Sequence, residues 1–213
     1  STLAITEKLY EGFVEKFNAH LTQYPYLLGG KPCLGDFGLM CPLYGHLGRD
    51  PVPHRLLQMR GPWVHRWVER MNRPEPDTGE YINLPHSFLQ DDEVPETIIE
   101  LLTHFALDFV PETIASHSGI NRWLEENKPA IGAQCERYVD EAEFEVEGIA
   151  IHVCPQPFRF YLLERVQSAV QALKGSDQAD ALALLDTCNM TAVLDLKLDR
   201  KIGRANNLEV WLD

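Results

Sequence analysis

Between residues 4 and 22 the apolar positions Leu9, Phe13, Phe17 and Leu21 recur every fourth residue, with Lys8, Glu11, Glu15 and Lys16 between them. This spacing gathers the apolar set on one side of a helix and predicts an amphipathic α-helix. Pro25 ends it, and Gly29-Gly30 mark a turn. A second helix is expected over about 34–47. A third, GPWVHRWVERM over 61–71, has Pro62 in its first turn, where an N–H would lack an intrahelical partner anyway. Its apolar face is Trp63, Val64, Trp67, Val68 and Met71, and Arg66, Glu69 and Arg70 are expected to point outward. The connector with Pro51 and Pro53 has room for a short helix around Leu56 and Leu57.

Residues 73–94, rich in prolines and acids, read as a long surface loop. After Pro95, the positions Ile98, Ile99, Leu102, Phe105, Ala106 and Phe109 restore a helical period. Pro111 is expected to interrupt it before the helix resumes to about Asn127, despite Gly119, and a further helix is expected over 128–140. At residue 143 the period shortens. EFEVEGIAIHV alternates apolar and polar residues around Gly148 and predicts a hairpin near 143–153. A strong helix, FRFYLLERVQSAVQAL, follows Pro155 and Pro157, then QADALALLDTCN, capped by Ser176 or Asp177. The tail alternates again at Leu194, Leu196 and Leu198 and at Leu208, Val210 and Leu212, and is expected to be extended. The class is therefore mainly α, with residues 1–142 as a helical bundle and 143–213 as a C-terminal extension packing on it within the same domain.

Composition narrows the function. The chain has 213 residues and is 45% hydrophobic, enough for a sizeable core. With 19 Lys+Arg against 32 Asp+Glu the net charge is -13, which disfavours nucleic acid and anionic lipid as partners. The densest basic stretch, Lys197 to Arg204, is interrupted by Asp199. No apolar run reaches the roughly 18 residues of a membrane span, and Leu3-Ala4-Ile5 runs at once into Glu7 and Lys8, unlike a signal peptide. The first residue is Ser, as in a processed, tagged or truncated product. Five scattered cysteines with no CxxC read as reduced thiols, so the expected location is cytoplasmic.

The stretch YLLGGKPCLGDFGLM, 26–40, places an acid where the second helix should begin. Cys33-Leu34-Gly35-Asp36 has capping-box spacing, in which the side chain at the fourth position returns to the N–H of the first. Asp36 also sits favourably in the helix dipole. Cys33 and Asp36 are thus read as a structural N-capping pair, with Pro32 and Phe37 as a hydrophobic staple. Losing such a cap costs about 0.5–2 kcal/mol.

These residues carry a family resemblance. PYLLGGKPCLGDFGLM resembles the segment of the glutathione S-transferase superfamily in which a [PF]-[FY]-L-L-G-x-x-P-S-L-A-D-F pattern opens a central helix of the C-terminal helical domain. DPVPHRLLQMRGPWVHRWVERM resembles its continuation, ending in a W-x-x-R-M signature, and the late helix PFRFYLLERVQSAVQAL resembles that of a large bacterial branch. The resemblance is clear over 5–72 and weaker beyond. Two departures stand out: Cys33 replaces the usual Ser or Thr, and a thiol is a weaker acceptor. Pro42 also falls inside the helix, where it removes an N–H and crowds the carbonyl of Gly38, so a kink is expected.

The resemblance implies a chain that forms the hydrophobic, acceptor-substrate side of a glutathione transferase. In that family a thioredoxin-like domain of roughly eighty residues, with a catalytic Ser, Tyr or Cys and a cis-proline, binds glutathione. Only about thirty residues precede the motif here, so that half is expected to be absent and the chain alone inactive. No cofactor is expected in the chain itself; glutathione would come with an upstream domain. A thioredoxin-like domain, another protein or a second copy of the chain are the partners left open. The alternative is a stand-alone helical interaction module without catalysis.

Other constellations are set aside. HVCPQPFR, with Cys154, Pro155 and Arg159, resembles the Cys-Pro-x-x-x-Arg start of omega-like transferases, but no later proline is left for the cis position. Cys154 is read as a semi-buried thiol, and His152 with Cys154 is too small a set for a metal. His65 is placed on a helix surface near Glu69, and His46 and His54 in a polar cluster with Arg49 and Asp50. Asp91-Asp92-Glu93 is read as a solvated loop, and Trp63 and Trp67 as core.

Overall fold

The computed structural model describes residues 1–73 and 79–213. Five residues of the expected 73–94 loop, 74–78, lie outside the described residues. Among the described residues there are seven α-helices and two separate two-stranded antiparallel sheets, so the chain is mainly α. The helices are α1 (Thr2–His20), α2 (Leu34–Pro42), α3 (Pro51–Arg60), α4 (Pro62–Met71), α5 (Glu96–Asn127), α6 (Pro157–Ala172) and α7 (Gly175–Thr187). The strands are β1 (Ala142–Val146), β2 (Ile149–Val153), β3 (Ile202–Ala205) and β4 (Leu208–Trp211). The chain divides into two compact units, Thr6–His104 and Phe105–Asp213 with Ser1–Ile5. None of the described helices is long and apolar enough to cross a membrane.

In the first unit α1 buries Phe13 and Phe17, with Leu21 buried just past its end and Leu9 half-buried, on the face the spacing predicts. Phe17 meets the edge of Trp67 at 5.0 Å between centroids. Asn18 accepts from the Trp63 N–H at 2.9 Å, so α1 supplies a partner for the open N-terminus of α4. His104 Nε2 donates to the Leu9 carbonyl at 2.7 Å and ties α5 to α1.

The second expected helix is divided. Pro42 has no N–H for the Gly38 carbonyl, and the chain continues as a π-turn, Leu43–Leu47, closed by Gly48 N–H to Leu43 O at 2.6 Å. The wider turn is how the expected kink is accommodated. Gly29 and Gly30 form the turn and more. Gly29 has φ +110°, and a Cβ on Gly30 would lie 2.0 Å from the Pro85 carbonyl oxygen. Gly30 N–H donates to Ser87 O at 2.8 Å and Leu89 N–H to Leu28 O at 3.0 Å. The 26–30 turn is thereby laced to the far end of the proline-rich loop.

Several expectations need correction. Pro111 lies inside α5, which runs unbroken over 32 residues. The carbonyl it orphans belongs to Leu107, an exposed residue where water can replace the lost N–H. Residues 128–140 are not helical. Instead Gly132 N–H donates to Trp211 O, Trp211 N–H to Ala133 O, and Cys135 N–H to Glu209 O, all at 2.8–2.9 Å, so β4 takes the hydrogen bonds a helix would have used. The helix after α6 starts at Gly175, leaving Ser176 and Asp177 inside its first turn rather than at the cap. Leu194, Leu196 and Leu198 are not in a strand.

The hairpins follow their turn chemistry. β1 pairs with β2 through Val146 and Ile149, and the two residues between, Glu147 (φ 51°) and Gly148 (φ 75°), both have positive φ. Asn206 (φ 52°) and Asn207 (φ 64°) do the same between β3 and β4. Two positive φ values in a two-residue loop match the twist of the paired strands. The second unit's core gathers Ile120, Leu124, Phe160, Leu163, Ile202 and Trp211. Trp211 is fully buried, stacks on Trp123 at 5.9 Å and donates to Glu136 Oε2 at 3.3 Å.

One buried histidine gives the first unit a pH dependence. His20 Nε2 lies 3.0 Å from the Tyr26 carbonyl and Nδ1 lies 2.8 Å from Thr97 Oγ1. A carbonyl only accepts, so Nε2 carries the hydrogen and Nδ1 accepts from Thr97, which satisfies the neutral ring. Burial lowers the His20 pKa below its usual value of 6.5, more than the Tyr26 hydrogen bond and Asp36 raise it. The unfolded chain therefore takes up this proton first on acidification, so stability is full above pH about 6.5 and falls as the pH drops below it. Thermal denaturation between pH 7.5 and pH 5 should show this loss, and His20→Gln should flatten it.

Candidate functional site

The sequence-selected pair sits at the start of α2. Asp36 is fully buried. Its Oδ2 accepts from Cys33 N–H at 2.9 Å, and the Cys33 thiol faces the Asp36 N–H in return. Oδ1 accepts two more bonds, from Leu27 N–H and from Trp67 Nε1–H, both at 3.2 Å. One carboxylate therefore holds its own helix start, the turn before it and the middle of α4. Burial, the largest influence, pushes the Cys33 thiol above its ordinary pKa, so it is held as a neutral partner and not as a thiolate nucleophile. Phe37, expected to clip onto Pro32, is 57% exposed.

A buried cation completes this corner. Arg70 was expected to point outward, but it lies three residues after Trp67 and seven after Trp63, which turns it to their side of α4. Its Nη2 donates to the Pro25 carbonyl at 2.9 Å, and its guanidinium lies 5.5 Å from the Tyr26 ring centre and 5.4 Å from that of Tyr81. Glu80 Oε2 is 3.8 Å from Nη1 and also pairs with Arg66. The Tyr81 hydroxyl in turn donates to Leu21 O at 2.5 Å. Residues 25–30 are thus pinned by His20 from α1, Asp36 from α2 and Arg70 from α4.

The outward side of α2 has an unusual polarity. Asp36 is the only charged residue in LGDFGLMCP, and it points inward with Leu43. Leu34, Phe37, Gly38 and Cys41 fall on the opposite side by helical spacing and are exposed, Leu34 to 88%. A solvated helix carries its charges outward. Here the order is reversed, and the exposed side of α2 is uncharged and largely apolar.

Cys154, expected to be semi-buried, is instead exposed, between β2 and α6, and β2 belongs to a two-stranded hairpin. The His152 ring faces Glu143 across that hairpin, with Nε2 at 3.2 Å from Oε2. His65 is half-buried, and its Nε2 lies 3.1 Å from that of His54, 5.2 Å between ring centres. His54 thus pairs with α4, while Arg49 lies over Tyr44 at 4.4 Å. Asp91 and Asp92 are exposed, and no group of three or more His, Cys, Asp or Glu that could hold a metal occurs among the described residues. Trp67 is core, and Trp63 lies half-buried against Tyr81 at 5.9 Å. The Cys135 thiol is pushed up to about 12, by burial first and then by Glu136 and Glu209, and is no nucleophile at neutral pH. Comparison of the chain with protein-family models, curated proteins and solved structures finds no significant match.

Asp36→Ala would strand three N–H groups in a buried corner. It should cost roughly 2–4 kcal/mol and lower the melting temperature by about 5–15 °C, with Asp36→Asn milder because it keeps one acceptor oxygen. Calorimetry of the two variants checks this order.

Proposed function

We propose that Thr6–His104 is a helical unit of the glutathione S-transferase C-terminal type, forming the acceptor-substrate side of a transferase whose glutathione-binding, thioredoxin-like part is contributed by a domain or protein other than the described residues. The observation that carries this reading is the inverted polarity of α2. Its one charge is spent inward on Cys33, Leu27 and Trp67, and its outward face is uncharged and apolar. Further support comes from the two stretches that carry the family resemblance, PYLLGGKPCLGDF and WVERM. They are bonded to each other, by Trp67 to Asp36 and by Arg70 to Pro25. Residues that match a pattern and also contact one another weigh more than residues that only match it.

In such a transferase the thiol of glutathione loses its proton with help from a hydroxyl or thiol of the partner domain, and the thiolate attacks an electrophile held against the helical side. The described residues offer apolar surface for the electrophile. Their sheets have two strands each, so a thioredoxin-like sheet is not among them. A second reading, a helical interaction module without catalysis, rests on the same uncharged face and needs no thiol-activating group.

The purified chain, given glutathione and 1-chloro-2,4-dinitrobenzene, should show no turnover above the uncatalysed rate, and steady turnover would overturn the division of labour. The face itself is tested by Leu34→Glu with Phe37→Glu. Both side chains are exposed, so the melting temperature should hold within a few degrees while binding of a hydrophobic dye falls severalfold. Unchanged dye binding would remove α2 as the docking surface.

A further inference from the structure

The second unit holds a cleft that the transferase reading does not use, and its chemistry is distinct. It lies between α6 and the segment 196–202 and has a volume of about 230 Å³. Its floor is apolar, with Phe160 and Ile202 buried and Leu196 and Leu198 half-buried. Three cations line it, Lys197, Arg200 and Lys201, against one acid, Glu164. In a chain of net charge -13 this local excess of positive charge runs against the whole.

The wall is rigid. The Lys197 carbonyl accepts from His117 Nε2 at 2.7 Å, Asp199 N–H donates to Asn121 Oδ1 at 3.0 Å, and Arg200 donates to Pro129 O at 2.7 Å. These bonds fasten the main chain and the arginine. Lys197 and Lys201 are exposed and form no ion pair among the described residues. Gln167 supplies the second polar feature. It is 94% buried, and its Nε2 donates to Val193 O at 2.8 Å and to Leu196 O at 2.9 Å. Two carbonyls can only accept, so the amide orientation is fixed. Gln167 lines the cleft, and its Oε1 accepts no hydrogen bond from a donor among the described residues.

We propose that this cleft binds a small aromatic carboxylate bearing a hydroxyl group. The carboxylate meets Lys197 and Lys201, the ring lies on Phe160, Leu198 and Ile202, and the hydroxyl donates to Gln167 Oε1. The size agrees. A dry cavity of about 150 Å³ admits benzene, and drug-sized ligands need roughly 300 Å³ or more, so this volume suits one substituted ring. A bare inorganic anion would leave the apolar floor and the Gln167 acceptor unused. The proposal is independent of the transferase reading, since every residue it uses belongs to the second unit.

Calorimetric titration of the full chain with 4-hydroxybenzoate tests it, with benzoate, phenol and inorganic phosphate as controls. The expected result is a dissociation constant below about 1 mM for 4-hydroxybenzoate, weaker by about fivefold or more for benzoate and by more for phenol and phosphate. Lys197→Ala with Lys201→Ala should weaken binding at least about tenfold while leaving the melting temperature unchanged, because both side chains are exposed. Added salt should weaken it too. Absence of binding at about 10 mM would overturn the proposal, as would unchanged affinity in the double lysine variant or equal affinity for benzoate or phosphate.

Discussion

Three N–H groups converge on the buried carboxylate of Asp36, which joins three segments of the Thr6–His104 unit. Cys33 N–H, Leu27 N–H and Trp67 Nε1–H belong to a helix start, a turn and a second helix. Burying a carboxylate is costly unless its oxygens are engaged, and here both are. The same turn carries further contacts. His20 reaches the Tyr26 carbonyl, Arg70 reaches the Pro25 carbonyl, and Gly30 N–H reaches Ser87. A helix cap is normally a local device. In this unit it also sets the positions of segments distant in sequence.

The same placement shapes the surface. Because Asp36 is turned inward, α2 has no charge left for its outward side, and Leu34, Phe37 and Cys41 face solvent. Capping the helix from inside and leaving its outer face apolar are two consequences of one residue choice. The proposed covering partner follows from that surface, while the cleft proposed for an aromatic carboxylate lies in the other unit, where Lys197 and Lys201 line it together with the buried Gln167.

What was legible in the sequence was what local chemistry decides. The Cys33–Asp36 spacing marks the start of α2, and Pro62 marks that of α4. EFEVEGIAIHV places a hairpin at Gly148, because a two-residue turn needs positive φ and the flanking strands alternate. What was not legible depended on partners far along the chain. Residues 128–140 have a helical composition, but β4 claims their backbone. The alternation at 194–198 suggests a strand, but Gln167 and His117 take the carbonyls of Val193, Leu196 and Lys197. Pro111 suggests a break, but an exposed helix face can lose one hydrogen bond to water. The charge of Arg70 suggests an outward side chain, but its spacing of seven from Trp63 and three from Trp67 sets it on their side of α4. The stretch Lys197 to Arg204 reads in the sequence only as a short basic run interrupted by Asp199, and the cleft beside Lys197, Arg200 and Lys201 exists only once α6 packs there.

The central claim is that Asp36 and Trp67 stabilise the fold through one another. A double-mutant cycle with Asp36→Ala and Trp67→Phe, followed by chemical denaturation, measures that directly, because phenylalanine keeps an aromatic ring and removes the indole N–H. A coupling free energy of about 1 kcal/mol or more is predicted for the pair. Additivity within about 0.3 kcal/mol would contradict the account.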